Sequence, residues 1–217
     1  MIGIRYIKKE KVYQMLIGIF FIGLCVSAYR LSGFGVDPFT CMNLAISKFL
    51  NISFGTWQCL LNTVLLCIVF ITVPNLIGFG TIVNMVAVGY LADFFCWIVL
   101  EQLSITITLP FRVFLLMIGT VFASSGCALY MVAKLGIAPY DSVAFIITKL
   151  TKERVSFRFA RILSDMTVIV IGMLFCLITQ ESMWNIVGIG TLINGSFNGP
   201  LIQYFKNKIQ KVESVAQ

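Results

Sequence analysis

Histidine is missing altogether, which removes the commonest metal ligand and the commonest general base. Charge is scarce as well: Asp, Glu, Lys and Arg supply 12% of the 217 residues, against a hydrophobic share of 59%. Soluble domains carry about a quarter of their residues charged, so that class is excluded. A mean hydropathy of +0.96 points instead to a polytopic membrane protein. CxxC pairs are absent too. Cys25, Cys41, Cys59, Cys67, Cys96, Cys127 and Cys176 stand singly in or beside apolar runs, as small packing residues rather than a disulfide frame or metal site. No enzyme chemistry, cofactor or metal is expected.

What is present is a series of apolar runs near the ~20 residues needed to cross a bilayer. They cover about 13–31, 57–73, 78–100, 111–132, 159–178 and 184–205, six spans in all. The first follows a short basic segment and could pass for a signal peptide, but it is long for one, lacks a clear small-x-small cleavage site and is copied at 111–132, so a retained helix is expected. Tight turns at Pro74-Asn75 and Gln180-Glu181-Ser182 join spans two to three and five to six. Two longer links, 33–56 and 134–158, contain stretches from Thr40 to Leu50 and from Ser142 to Leu150. Each is too short to cross and too apolar for a free loop, so each reads as a re-entrant or interfacial helix started by its proline.

Two passages in those links are near copies. Gly33-Phe34-Gly35-Val36-Asp37-Pro38 corresponds to Lys134-Leu135-Gly136-Ile137-Ala138-Pro139, with Gly35 to Gly136 and Pro38 to Pro139 both offset by 101 residues. The same offset pairs Gly18 with Gly119, Phe21 with Phe122 and Tyr29 with Tyr130. Ser53-Phe54 then matches Ser156-Phe157 at 103, setting Asn62 against Asp165. Gly78-Phe79-Gly80-Thr81 matches Gly188-Ile189-Gly190-Thr191 at 110, with Asn84 against Asn194. So long a period indicates two large halves rather than an array of short repeats. The expected units are residues 1–105 and 106–217.

Orientation follows from the basic residues. Thirteen of the 16 fall in the N-terminal segment (Arg5, Lys8, Lys9, Lys11), the second link and its exit (Lys134, Lys149, Lys152, Arg154, Arg158, Arg161) and the C-terminal tail (Lys206, Lys208, Lys211), leaving Arg30, Lys48 and Arg112 on the other side. Both termini are therefore expected in the cytoplasm. The net charge of +7 belongs to these flanks, so anionic lipid rather than nucleic acid is the expected partner. A three-span unit that starts inside ends outside, and its copy must be inserted upside down. The expected fold is an all-α integral membrane protein of six transmembrane helices in two inverted three-helix repeats, each with a short re-entrant or interfacial helix after its first span.

Several motifs carry two readings. The links around Gly35, Pro38, Gly136 and Pro139 are either plain loops or irregular backbone at membrane depth, which survives only where it lines a cavity or is buried in protein. The Gly-x-Gly-Thr blocks, with Thr81 and Thr191, either pack helices closely or offer a glycine-lined helix start to a polar or anionic solute. Asn84 and Asn194 are primary amides in apolar runs and should face the bundle interior. Asp165 lies one turn after Arg161, either as a simple i, i+4 ion pair or as a site for a coupling cation or proton. Asp37 and Asp141 lie three positions apart in register, which weakens any equivalence between them. Asp93 can reach water near the end of its span, Arg30 and Arg112 can anchor helix ends, and Trp57, Trp97 and Trp184 fit an interfacial belt.

The blocks LGIAPYDS and GIGTLIN, with GFGVDPF and GFGTIVN in the first half, resemble the YitT/YczE family of bacterial membrane proteins, over roughly residues 15–205. The chain is similar to the short YczE-like branch, since it lacks the soluble C-terminal domain of many YitT-type members. The resemblance implies a multi-pass plasma-membrane protein. It brings no substrate or catalytic residue with it.

The leading expectation is a small secondary transporter or permease for a small polar or anionic solute, with Gly35, Pro38, Gly136, Pro139, Thr81, Asn84, Thr191 and Asn194 at the solute site and Asp165 with Arg161 in coupling. One alternative is a non-transporting scaffold or regulator acting on a partner. Another is the solute-binding subunit of an energised vitamin importer, disfavoured because Ala28 is the only alanine of span one, which leaves no repeated alanine face to meet a motor subunit, and because of the duplicated, inverted halves. Two three-span halves make a thin wall, which a homodimer would thicken.

Overall fold

The computed structural model describes residues 9–180 and 187–215. The expected positions Arg5, Lys8, Glu181, Ser182 and Trp184 lie outside them. The described residues form eight α-helices: α1 (Lys9–Ser32), α2 (Pro38–Leu50), α3 (Phe54–Thr72), α4 (Phe79–Trp97), α5 (Leu109–Ala133), α6 (Pro139–Leu150), α7 (Phe157–Thr179) and α8 (Ile189–Val215). A 3-10 turn at Pro74–Leu76 links α3 to α4, and a π-helical turn at Ile98–Gln102 continues α4. No strand occurs among the described residues.

Local chemistry sets these boundaries. Asp37, Ser53 and Ser156 cap α2, α3 and α7 by accepting a backbone N–H three residues on. Pro38 and Pro139 occupy first-turn positions, where the missing N–H costs nothing. Among the described residues, five helices are long and apolar enough to cross a membrane: Lys9–Ser32, Phe54–Thr72, Phe79–Gln102, Leu109–Ala133 and Phe159–Thr179. The sixth expected span begins on residues outside the described set. Its described part, α8, is 27 residues long, but Asn194, Asn198, Gln203 and Asn207 and three lysines dilute its apolar character.

At the centre, α1 and α5 run antiparallel in close contact. A methyl group on Gly18 would lie 2.8 Å from the Gly126 carbonyl and the Tyr130 nitrogen, and one on Gly119 would lie 3.1 Å from the Tyr29 ring. Small residues let the backbones approach this closely, the usual source of helix association in lipid. Phe21 meets Phe122 at 5.2 Å between centroids, and Tyr29 donates its hydroxyl hydrogen to Thr120 Oγ1 at 3.1 Å. Around this pair, α4 packs along α1 and α8 along α5, while α2 lies on α7 and α6 on α3. The outer helices α3 and α7 expose Leu60, Val64, Ile68, Phe70, Met166, Val170 and Leu174. An apolar belt of this kind is what a lipid-facing surface requires.

Candidate functional site

Both links turn back into the bundle. The backbone adopts left-handed φ at Gly33 (62°) and Gly35 (101°) in the first, and at Lys134 (54°) and Gly136 (123°) in the second. Each link is then clamped by a helix start distant in sequence, the first by that of α8 and the second by that of α4. Gly190 N–H donates to Phe34 O at 2.6 Å and Thr191 Oγ1 to Val36 O at 2.8 Å. In the second link Gly80 N–H donates to Leu135 O at 2.8 Å and Thr81 Oγ1 to Ile137 O at 2.9 Å. Each threonine hydroxyl also accepts the N–H of its own Gly78 or Gly188, at 3.1 and 3.3 Å.

Held this way, α2 and α6 begin side by side. The Phe39 and Tyr140 rings stack at 4.2 Å with 15° between their planes. The helices then run apart: Lys48 of α2 joins Arg30 and Arg112 in a cleft at the C-terminal end of α1, whereas Lys149 of α6 donates to Thr72 O at the end of α3.

A cavity of about 460 Å³ lies where the two helix starts meet, with Asp37, Pro38, Gln58, Asn62, Asn84, Asp141, Arg161, Asp165 and Asn194 among its lining residues. Arg161 holds two of its three carboxylates: Nη1 reaches Asp141 Oδ1 at 2.7 Å and Nε reaches Asp165 Oδ2 at 3.3 Å. Tyr140 donates its hydroxyl hydrogen to Asp165 Oδ1 at 2.6 Å, and the guanidinium carbon lies 5.0 Å from the Tyr140 ring centroid. Asp37 takes the other role open to a carboxylate here. Its Oδ1 accepts Thr40 N–H at 3.0 Å, and among the described residues it forms no ion pair.

The sequence-derived residues therefore separate into two groups. Pro38, Asn84, Asn194, Arg161 and Asp165 line the cavity. Gly35, Gly136, Thr81 and Thr191 form the clamps around it, and Pro139 is buried at the start of α6. Tyr140, Gln58 and the full engagement of Asp141 were not singled out. A signal for Gln58 existed, because the 103-residue offset places it opposite Arg161. Arg30 and Asp93 also behave differently from the expectation of an anchor and a solvated carboxylate. They pair with each other at 2.7 Å, Asp93 Oδ2 accepts Gly55 N–H at 2.6 Å, and Arg30 covers the Phe54 ring at 4.7 Å. Arg112 donates to the carbonyls of Ser32 and Gly33, bracing the first link.

The model of a family of unknown function, DUF6198, matches residues 9–207. The chain belongs to the DUF6198 family. Both clamps and every cavity residue named above fall within the matched DUF6198 region. The chain is similar to the uncharacterized protein YyaS of Bacillus subtilis, 26% identical over 90% of this chain and 92% of the relative. An uncharacterized protein of Haemophilus influenzae is 24% identical over 93% and 85% of the two chains. The uncharacterized membrane protein YczE of Bacillus subtilis is 23% identical over 85% and 82%, so the YczE-like resemblance holds. No solved structure matches the chain.

Proposed function

We propose that this protein is a small transporter working by alternating access, with its solute site in the cavity between α2 and α6. The carrying observation is the meeting of two helix starts, each clamped by the other half, around a cavity rich in titratable groups. The reading takes residues 1–105 and 106–217 as inverted three-helix halves and α8 as the sixth crossing. Its support is the pairing of contacts: Gly190 to Phe34 answers Gly80 to Leu135, Thr191 to Val36 answers Thr81 to Ile137, and α8 on α5 answers α4 on α1. Together with the gathering of thirteen of the 16 basic residues in the N-terminal segment, the second link with its exit and the C-terminal tail, this favours a bacterial plasma-membrane protein with both termini cytoplasmic and α2 and α6 re-entrant from opposite faces.

Such architecture puts irregular backbone and two positive helix-dipole ends at a protein-lined cavity, the arrangement that discontinuous helices create in secondary transporters. Three carboxylates face one guanidinium, so of the polar or anionic solute expected from the glycine motifs the cavity suits a polar one, neutral or cationic, better than an anion. Asp165, held by both Arg161 and Tyr140, is the coupling group in this reading. The cycle needs no enzyme chemistry and no cofactor. Its partners are lipid and a small solute, and a homodimer is not required.

A thermal-shift screen of the purified protein against small metabolites identifies a stabilising solute by mass action, and its uptake is then followed in liposomes. Asp165→Asn is expected to lose gradient-driven accumulation by at least about tenfold while still exchanging solute at equilibrium, as an intramembrane coupling carboxylate would. Undiminished accumulation would remove Asp165 from coupling. Absence of transport for every stabilising solute would contradict the transporter itself.

A further inference from the structure

The two sides of the cavity are matched in position but not in charge. Ser53 and Ser156 cap α3 and α7 identically, and counting from them places Gln58 where the second half has Arg161 and Asn62 where it has Asp165. On the α7 side the chain supplies its own cation, and Arg161 satisfies Asp141 and Asp165. On the α3 side none is found among the described residues that line the cavity. Gln58 and Asn62 are only 6% and 2% exposed, and they lie one helical turn apart on the face that lines the cavity. Gln58 Oε1 and Asn62 Oδ1 have no hydrogen-bond partner among the described residues. Buried acceptors in a native structure require a donor, and the cavity they share with Asp37 favours one that carries positive charge.

Resting on the transport reading above, we propose that the α3 side of the cavity binds a small ammonium or guanidinium group, which occupies the place that the Arg161 guanidinium takes on the α7 side. The N–H donors of the ligand meet the two amide oxygens, and its charge is balanced by Asp37. The specificity is for a cation with hydrogens to donate, because an amide oxygen answers an N–H far better than it answers a methylated surface. A volume of about 460 Å³ leaves room for a small organic body behind that head group.

The test uses the purified full chain in detergent and reads its melting temperature and binding isotherm. The probes are methylammonium and guanidinium at low millimolar concentration, tetramethylammonium as a cation without N–H donors, and acetate as an anion. Methylammonium or guanidinium should raise the melting temperature in a saturable way, tetramethylammonium should be at least about tenfold weaker, and acetate should have no effect. Gln58→Arg gives the first half a guanidinium of its own and should abolish the response. Asn62→Asp copies the second half and should tighten binding about tenfold.

A response to tetramethylammonium as strong as to methylammonium, a response to acetate alone, no response to any probe, or an undiminished response in Gln58→Arg would each overturn the proposal. Should Gln58→Arg fail to fold, unchanged affinity in Asn62→Asp would contradict it just as well. The two proposals fail separately. Ammonium binding without uptake in liposomes keeps this site and removes transport, whereas uptake of a solute lacking N–H donors with no ammonium response does the reverse.

Discussion

At Gly35 a methyl group on the Cα would lie 2.5 Å from the Gly188 nitrogen and 2.6 Å from Thr191 Oγ1, with φ at +101°. A methyl group on Gly136 would be placed the same way, against Thr81 Oγ1 and 2.8 Å from the Gly78 nitrogen, with φ at +123°. Both conditions exclude a Cβ, one by steric overlap with backbone and one by conformation. Gly35→Ala and Gly136→Ala should therefore each destabilise the protein by about 2–3 kcal/mol, lowering the melting temperature in detergent by similar amounts. An unchanged melting temperature in either variant would mean that the clamp is not closed as described. These two glycines stand out in the sequence because they are duplicated, but their role does not. The atoms they touch belong to helix starts far away in the sequence, and pattern within one segment carries no record of such a contact. Gln58 is harder still, a polar residue near the start of an apolar run whose meaning comes only from its counterpart Arg161.

At the level of elements, the helices were legible and their partners were not. Apolar runs and Ser, Asp and Pro at the starts mark α1 to α7 to within a few residues, because capping and composition are local properties. Whether α2 and α6 lie on the surface or enter the bundle was open from composition, since both arrangements use the same mixed apolar face. The Phe39–Tyr140 stack at 4.2 Å shows that their starts meet, with the Tyr140 ring buried. The register mismatch of Asp37 and Asp141 also acquires a cause here. One is the N-cap of α2 and the other lies in the first turn of α6, so two carboxylates serve two helix starts in different ways.

The Arg30–Asp93 pair ties α1 to α4 and, through Gly55 N–H, to the start of α3. Both side chains are about three-quarters buried, at 20% and 24% exposure. A double-mutant cycle with Arg30→Ala and Asp93→Ala should give a coupling energy of about 1–3 kcal/mol in detergent unfolding. Additive single effects would show that the pair does not hold these three helices together.

For the whole molecule, the proposed transport reading requires two halves of opposite orientation, with links that enter from opposite faces and meet at one cavity. Polarity and duplication reached this reading from sequence, whereas the charge imbalance that favours a cationic solute required the three-dimensional neighbours of Asp37 and Arg161. The most direct test uses a cysteine-free background carrying either Asn51→Cys, at the exposed turn after α2, or Glu153→Cys, at the exposed turn after α6. An impermeant maleimide applied to intact cells should label position 51 and reach position 153 only after the membrane is opened. Labelling of both positions from the same side would contradict the inverted arrangement, and with it the shared cavity as a transport site.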